Sequence, residues 1–402
     1  MKKSLAKILC LVLAFALMVP CFTSCGKTNY AENNTKVKIG VSGPLTGGAA
    51  VYGLAVQKAA RLAVSEINKV SKDTLGFEFE FVMVDDKHDS TLIKDNYPSL
   101  YEGGMQISLG TVTTKPGLEF KELSKDDNVF VLTPSATGDD IPEYDNAFQM
   151  CFADSNQGTA SAEFFNDNYE GKNVGVFYKS DDEYSTGILA KFEEALDDSF
   201  GEIAKASFKG EEANFQTQVQ TLKDCDVIFM PIYYTPASQF MQAGKDVVKA
   251  NAIYYGCDGL DGIDAIDGFD ITAIPQEVSY LSHFSSGATT GAAAEFIAAY
   301  NAFEADKGEV TLNQFGAAAY DCVWAIYEAL KVAKANGKSF DTTTSPSDYC
   351  EILKEVFTSD SFVYQGVTGA PKANGKSEIS WTDDGFVNKE AIKYVVKEAN
   401  AD

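Results

Sequence analysis

The sequence predicts an α/β protein of two Rossmann-like lobes, each built around a parallel central sheet. Three observations lead there. The stretch VKIGVSGPLTGGAAVYGLAVQKAARLAVSEIN (37–68) opens with a β-branched run and passes through a loop punctuated by Gly43, Pro44, Gly47, Gly48 and Gly53. It closes in a helix whose Val56, Ala60, Ala63, Val64 and Ile67 recur at helical spacing. Strand and helix signals then alternate as far as Tyr255, the pattern of βαβ units. Finally, about 378 residues remain once a signal segment is set aside, more than one ordinary core holds.

The chain begins with that segment. Lys2, Lys3 and Lys7 form a basic start, and Ile8–Pro20 is almost wholly apolar but too short to span a bilayer, so residues 1–24 read as a secretory signal. The cleavage region Phe22-Thr23-Ser24-Cys25-Gly26 resembles a bacterial lipobox with Cys25 as the lipid-modified residue, although Phe22 stands where Leu is usual. The bland alternative is an ordinary signal with a chance cysteine. Residues 25–36 are polar and aperiodic, as a tether should be.

After the first βα unit, the signals in order are strand Phe77–Val84, helix Thr91–Tyr101, strand Gln106–Leu109, a helix through Leu123 and strand Val129–Thr133. A second run follows a seam near Phe148–Ala153. It comprises helix Asn156–Asn168, strand Asn173–Tyr178, helix Ser185–Leu196, strand Lys205–Phe208, helix Phe215–Leu222, strand Val227–Pro231, helix Ser238–Lys249 and strand Ile253–Tyr255. Helices Ala292–Ala305, Asn313–Ala335 and Ser347–Val356 come next. The tail from Val367 reads as hairpins turning at Ala373-Asn374-Gly375 and Asp383-Asp384-Gly385.

Removing the signal shifts the formal charge from −25 to −28, which argues against nucleic acid and against a polybasic membrane patch. Beyond Cys25, the cysteines Cys151, Cys225, Cys257, Cys322 and Cys350 lack metal-site or disulfide-framework spacing, so most read as buried small hydrophobes with one bridge left open. His88 and His283 are the only histidines. Neither lies in HExxH, and no GxSxG elbow is present, so catalysis is not signalled. Asp85, Asp86 and Asp89 lack the calcium-loop pattern and read as a solvated loop or as capping residues.

Binding is better supported. Ser42, Thr111-Val112-Thr113-Thr114 and Thr133-Pro134-Ser135-Ala136-Thr137 place hydroxyls at strand ends, where they suit a carboxylate. The alternative is that they only cap helices. At strand ends of the second run stand Tyr184, Tyr233, Tyr234 and Asp258. An acid among tyrosines suits a primary ammonium, and core-edge packing is the alternative for one of Tyr233 and Tyr234. Facing each other, the two sets describe a zwitterion held in a cleft.

GPLTGGAAVYG, DDKHD, TPSAT, DDEYSTG and GCDGLDG resemble, in order and spacing, the leucine/isoleucine/valine-type amino-acid-binding lipoproteins of ABC importers, from about Lys36 to the end. The resemblance implies the type I periplasmic-binding fold, with a three-segment hinge and a ligand clamped by closure. It implies an N-terminal lobe of residues 37–152 and 283–386, and a C-terminal lobe of 153–282 and 387–402. By position, Thr114, Ser135 and Thr137 match carboxylate-binding residues, and Tyr184 and Asp258 match those receiving the ammonium. Tyr52, Tyr233 and Phe315 match side-chain pocket positions. Thr114 stands where Ser is frequent, Thr113 where the residue is small, Asp258 where many relatives carry Glu, and Ile232 where Gly is frequent. A lipid-anchored monomer on the outer face of the cell membrane is expected, delivering a branched-chain amino acid to permease subunits without chemistry, cofactor or metal. A receptor for an amide, urea or aromatic acid, or a ligand-sensing module, is the alternative.

Overall fold

The computed structural model describes residues 34–304, 310–372, 374–389 and 392–398. The signal segment, Cys25 and the tether up to residue 33 lie outside them, as does Ala373 of the expected turn. Two parallel sheets organise the chain. The first takes β1 (Val37–Gly43), β2 (Phe79–Asp85), β3 (Met105–Thr111), β4 (Val131–Thr133) and β5 (Ala147–Gln149), in the order β2-β1-β3-β4-β5. The second takes β6 (Val174–Lys179), β7 (Ala204–Phe208), β8 (Val227–Met230), β9 (Ile253–Gly256), β10 (Glu277–Ser282) and β14 (Ile392–Lys397), in the order β14-β10-β9-β8-β6-β7. All neighbours are parallel except β14, which runs antiparallel to β10.

Each sheet is buried on both faces, which explains its near-continuous apolar runs. Val37, Ile39 and Val41 of β1 point into a core shared with α1 (Ala50–Ile67) and α9 (Gln314–Ala335). The opposite face is covered by Tyr97 of α2 (Ile93–Glu102) and Phe120 of α3 (Thr114–Asp126). Helix α1 approaches α9 closely through small residues: a Cβ on Gly316 would lie 3.2 Å from the Ala55 methyl. In the second lobe, Phe165 of α4 (Asp154–Asn168) meets Phe229 and Tyr255 edge-on, and Phe192 of α5 (Glu183–Ala195) stacks on Phe229. Phe208, Phe215 and Phe240 pack against Phe177 on the other face, from β7, the start of α6 (Gln216–Leu222) and α7 (Tyr234–Gly244).

Helix α8 (Gly291–Ala302), α9 and α10 (Pro346–Phe357) follow β10. The last returns to the first sheet, where Phe357 meets Phe130 and Phe148 at 5.0 and 5.5 Å between ring centres. The tail departs from the expected run of hairpins. β11 (Tyr364–Gly366), β12 (Ser377–Trp381) and β13 (Val387–Asn388) do form an antiparallel sheet, with Gly385 in the β12–β13 turn at φ 81°. Ile392–Lys397 instead leaves to complete the second sheet, because β10 offers an unpaired edge. Helix α7 starts at Tyr234 rather than Ser238, with Pro236 in its first turn, where no N–H is needed, and ends at Gly244 rather than Lys249.

The chain crosses between sheets after β5, after β10 and before β14. Lys389 Nζ donates to the Met150 carbonyl at 2.6 Å, and Phe152 packs edge-on against His283. The three crossings are thus tied side by side. In each sheet the strand order reverses beside the first strand, and loops at the carboxyl ends open into a crevice there. None of the described helices is long and apolar enough to cross a membrane.

Candidate ligand-binding cleft

The wall supplied by the first lobe is a mesh of hydroxyls. Thr114, the first residue of α3, accepts the N–H groups of Thr137 and Gly138 at Oγ1, each at 3.2 Å, and lies 3.3 Å from Thr137 Oγ1. Ser135 Oγ donates to the Val112 carbonyl at 2.7 Å. Thr133 Oγ1 accepts the Ala136 N–H and donates to the Thr111 carbonyl. The loops after β3 and β4 are therefore stitched to each other by the side chains that the sequence singled out, and Thr114, Ser135 and Thr137 are brought together and buried.

His88 joins this wall, with Nδ1 2.9 Å from Thr113 Oγ1. Its backbone sits in the left-handed region at φ 63°, where its N–H donates to Asp86 Oδ1 at 2.9 Å. Burial pushes His88 down to about 4, with the charges of Lys179 and Lys115 acting in the same direction, so the ring is neutral at ordinary pH. Asp85 accepts from Leu45, Thr46 and Lys87, and Asp89 caps Thr91, so both serve as turn-formers.

The second lobe's wall is acidic and aromatic. Tyr184 Oη donates to Asp258 Oδ1 at 2.7 Å and accepts the Gly259 N–H at 2.9 Å. Gly259 is required: a Cβ there would fall 2.6 Å from Tyr184 Oη and 2.7 Å from the Ile232 carbonyl. Tyr233 stacks on Tyr184 at 4.7 Å and meets the edge of His88 at 5.0 Å. Asp258 is 2% exposed, and none of the ion pairs among the described residues involves it. Burial raises its pKa to about 7, against the opposing pull of Tyr184, Gln157 and the Gly259 N–H.

The walls meet. Tyr52 Oη donates to the Gly259 carbonyl at 2.5 Å, Thr235 Oγ1 donates to the Gly48 carbonyl at 2.7 Å, and the Val51 N–H donates to Tyr234 Oη at 3.3 Å. The Gln314 N–H, at the start of α9, donates to Asp261 Oδ2 at 2.7 Å, and Lys115 faces Glu183 at 3.6 Å on the rim. These bonds join residues on different sheets' loops, so the cleft is closed. Tyr52 is central to the contact, with Tyr234 and Phe315 edge-on at 4.8 and 4.7 Å. Phe315 and Tyr234 buttress Tyr52 from behind, while Tyr233 lies between Tyr184 and His88.

Sequence reasoning did not single out Asp154 and Gln157. They lie three residues apart in the first turn of α4, hence on one face, and both are buried. Gln157 Oε1 accepts the Asp258 N–H at 3.0 Å. The available signal was an acid and an amide at helical spacing just past the seam, which also fits an ordinary helix start. All five described cysteines are free and buried, and burial pushes their thiols up. Such groups are poor nucleophiles.

Similarity to known proteins accords with this geometry. A family model described as periplasmic binding protein matches residues 36–349. The leucine-, isoleucine-, valine-, threonine- and alanine-binding protein of Pseudomonas aeruginosa is 27% identical over 210 residues, which is 51% of this chain and 55% of that protein. The Leu/Ile/Val-binding protein BraC3 of Rhizobium johnstonii is 24% identical over 350 residues, or 86% of this chain and 91% of the relative. Among solved structures, the branched-chain amino acid transporter substrate-binding protein LivJ from Streptococcus pneumoniae, in complex with isoleucine, superposes with a TM-score of 0.69. It is 25% identical, over 90% of this chain and 99% of that one.

Proposed function

The chain belongs to the periplasmic binding protein family, and from that premise we propose that it is an extracytoplasmic solute receptor of an ABC importer. It captures an amino acid, most readily a branched-chain one, between its lobes. The observation that carries this reading is the pairing, across one closed cleft, of a neutral hydroxyl wall with a buried carboxylate that has no cationic partner among the described residues. The ligand carboxylate lies against Thr114, Ser135 and Thr137, at the start of α3. Its ammonium meets Asp258 and Tyr184, and its side chain meets Tyr52 and Tyr233, with Phe315 behind. Closure excludes water, which strengthens these polar contacts. The closed form, bridged by Tyr52 and Thr235, is the one presented to permease subunits.

In this reading the lobes comprise residues 37–152 with 283–386, and 153–282 with 387–402. The protein is a monomer held to the membrane by a lipid on Cys25, and the relatives' role as binding proteins rather than enzymes carries over. A thermal-shift screen of residues 27–402, refolded to strip carried ligand, tests it. Leucine, isoleucine or valine should raise the melting temperature, and the matching α-keto acids should do so less. A shift confined to urea, amides or sugars would keep the fold and reject the zwitterion.

A further inference from the structure

A second concavity lies on the first lobe, away from the cleft. It is a groove of about 570 Å³ between α8, the less buried side of α9 and the stretch that leads into β11. Glu66, on its edge, stands fourteen residues beyond Tyr52 along α1, which puts it roughly 21 Å from the cleft. The floor of the groove is aromatic. Tyr320 and Trp324 are four residues apart on α9, so they share one face of it, and their ring centres lie 6.2 Å apart. Phe296 of α8 packs against Tyr320 at 4.5 Å.

Much apolar surface here is left uncovered. Only four large apolar side chains among the described residues are exposed, and two of them, Val332 at 38% and Val363 at 46%, stand on this groove. Helix α8 reads GAAAEFIAAYNA, apolar on nearly every side, yet only Phe296 and Tyr300 of it are buried. A helix of that composition is normally covered all round, so this one is short of a partner.

The rim decides what kind of partner. Three carboxylates line the groove, Glu66, Glu295 and Glu328, against the cation Lys376. Glu328 is engaged by Lys331 at 2.7 Å. None of the ion pairs among the described residues involves Glu66 or Glu295. Tyr320 Oη donates to Glu66 Oε2 at 2.7 Å, which holds that carboxylate beside the aromatic floor. Aromatic faces attract cations, tryptophan most of all, and nearby carboxylates add to the field. A concavity of this size, largely apolar with a few polar groups, is that of a small-molecule site.

We propose that this groove is a second binding site, for a small organic cation with an apolar body, of the alkyl- or arylammonium class. The positive head lies over Trp324 and Tyr320, within the field of Glu66 and Glu295, and the apolar body covers Val332, Val363 and α8. The site shares no residue with either wall of the cleft, so it stands independently of the amino-acid reading.

The test uses the mature chain labelled with ¹⁵N-tryptophan, whose two indole N–H signals are assigned with Trp324→Phe. Trp381 is the internal control, since it is buried and its Nε1 donates to the Gln149 carbonyl at 2.8 Å. The probe is benzyltrimethylammonium, compared with uncharged benzyl alcohol, each titrated with and without excess leucine. Trp324 should shift saturably with the ammonium while Trp381 stays in place. Benzyl alcohol should bind at least about tenfold more weakly, and leucine should leave the titration unchanged. Glu66→Gln combined with Glu295→Gln should weaken the ammonium about tenfold. Should that double variant fail to fold, Glu295→Gln alone, at an exposed position, should weaken it about threefold. No saturable shift of Trp324, equal binding of the two compounds, undiminished binding by the variants, or competition by leucine would overturn the assignment. So would a Trp324 shift that grows with protein concentration alone, which would give the groove to a second copy of the chain.

Discussion

On the first-lobe wall, Thr114 Oγ1 accepts two backbone N–H groups and Ser135 donates to a carbonyl, so most polar atoms are already satisfied within the protein. On the facing wall, Asp258 and Asp154 are equally buried, yet among the described residues neither has a cationic partner, and Asp154 Oδ1 has no hydrogen-bond partner. The first wall behaves as a finished mould whose geometry is set by its own backbone. The second stores unfavourable desolvation that a ligand cation relieves. Affinity, its pH dependence and selectivity should therefore respond chiefly to the second wall, and the first should set orientation.

The largest expected break in that contrast is Asp258→Ala. Removing one partner of a buried charge pair costs on the order of 2–5 kcal/mol of binding. Tyr234→Ala should cost far less, because its ring supports Tyr52 and its hydroxyl only receives the Val51 N–H. Equal losses in a calorimetric comparison would mean that the ammonium does not sit at Asp258.

Next in size is pH. Burial holds Asp258 at about 7, and only its ionised form attracts an ammonium. Affinity should thus weaken by up to about tenfold per unit as pH falls below about 7. His88, at about 4, adds nothing in that range. Stability of the unliganded protein should run the other way. Burial raises Asp258 to about 7 and Asp86 and Asp261 to about 6, all above their unfolded values. The stabilisation they give is full below the unfolded carboxylate range and is lost as pH rises through those values. Melting temperature without ligand should fall between pH 5 and 8 while leucine affinity grows, and Asp258→Asn should flatten the affinity profile.

Smaller effects belong to the bridges between lobes. Tyr52→Phe removes the bond to the Gly259 carbonyl and should cost about 0.5–1.5 kcal/mol of apparent affinity by favouring the open form, readable as faster ligand release. Lys115→Ala should change affinity by less than about 1 kcal/mol, because both it and Glu183 are about half exposed and screened by solvent. A larger loss there would point to the rim, rather than the acidic wall, as the main source of closure energy.

The amino-acid order by itself determined the α/β class, the two runs of βαβ units and most of the polar residues of the cleft. Buried parallel strands and their amphipathic helices are local patterns, and Val37–Val41 or the periodic face of α1 carries its own signature. Hydroxyls and acids at strand ends are legible for the same reason. The tertiary structure decided what has no local signature. Ile392–Lys397 looks like any hairpin strand, and only the open edge of β10 draws it to the second sheet. His88 reads as a loop residue until folding brings Thr113 and Tyr233 against it. Asp154 reads as a helix start, since whether an acid at that position meets water or is buried without a partner depends on what the other segments cover. Phe315 and Tyr52 are far apart in the chain, and their contact exists because α9 returns to lie along α1. Patterning records which face of an element is buried, but partnership across the cleft depends on how separately folded layers meet.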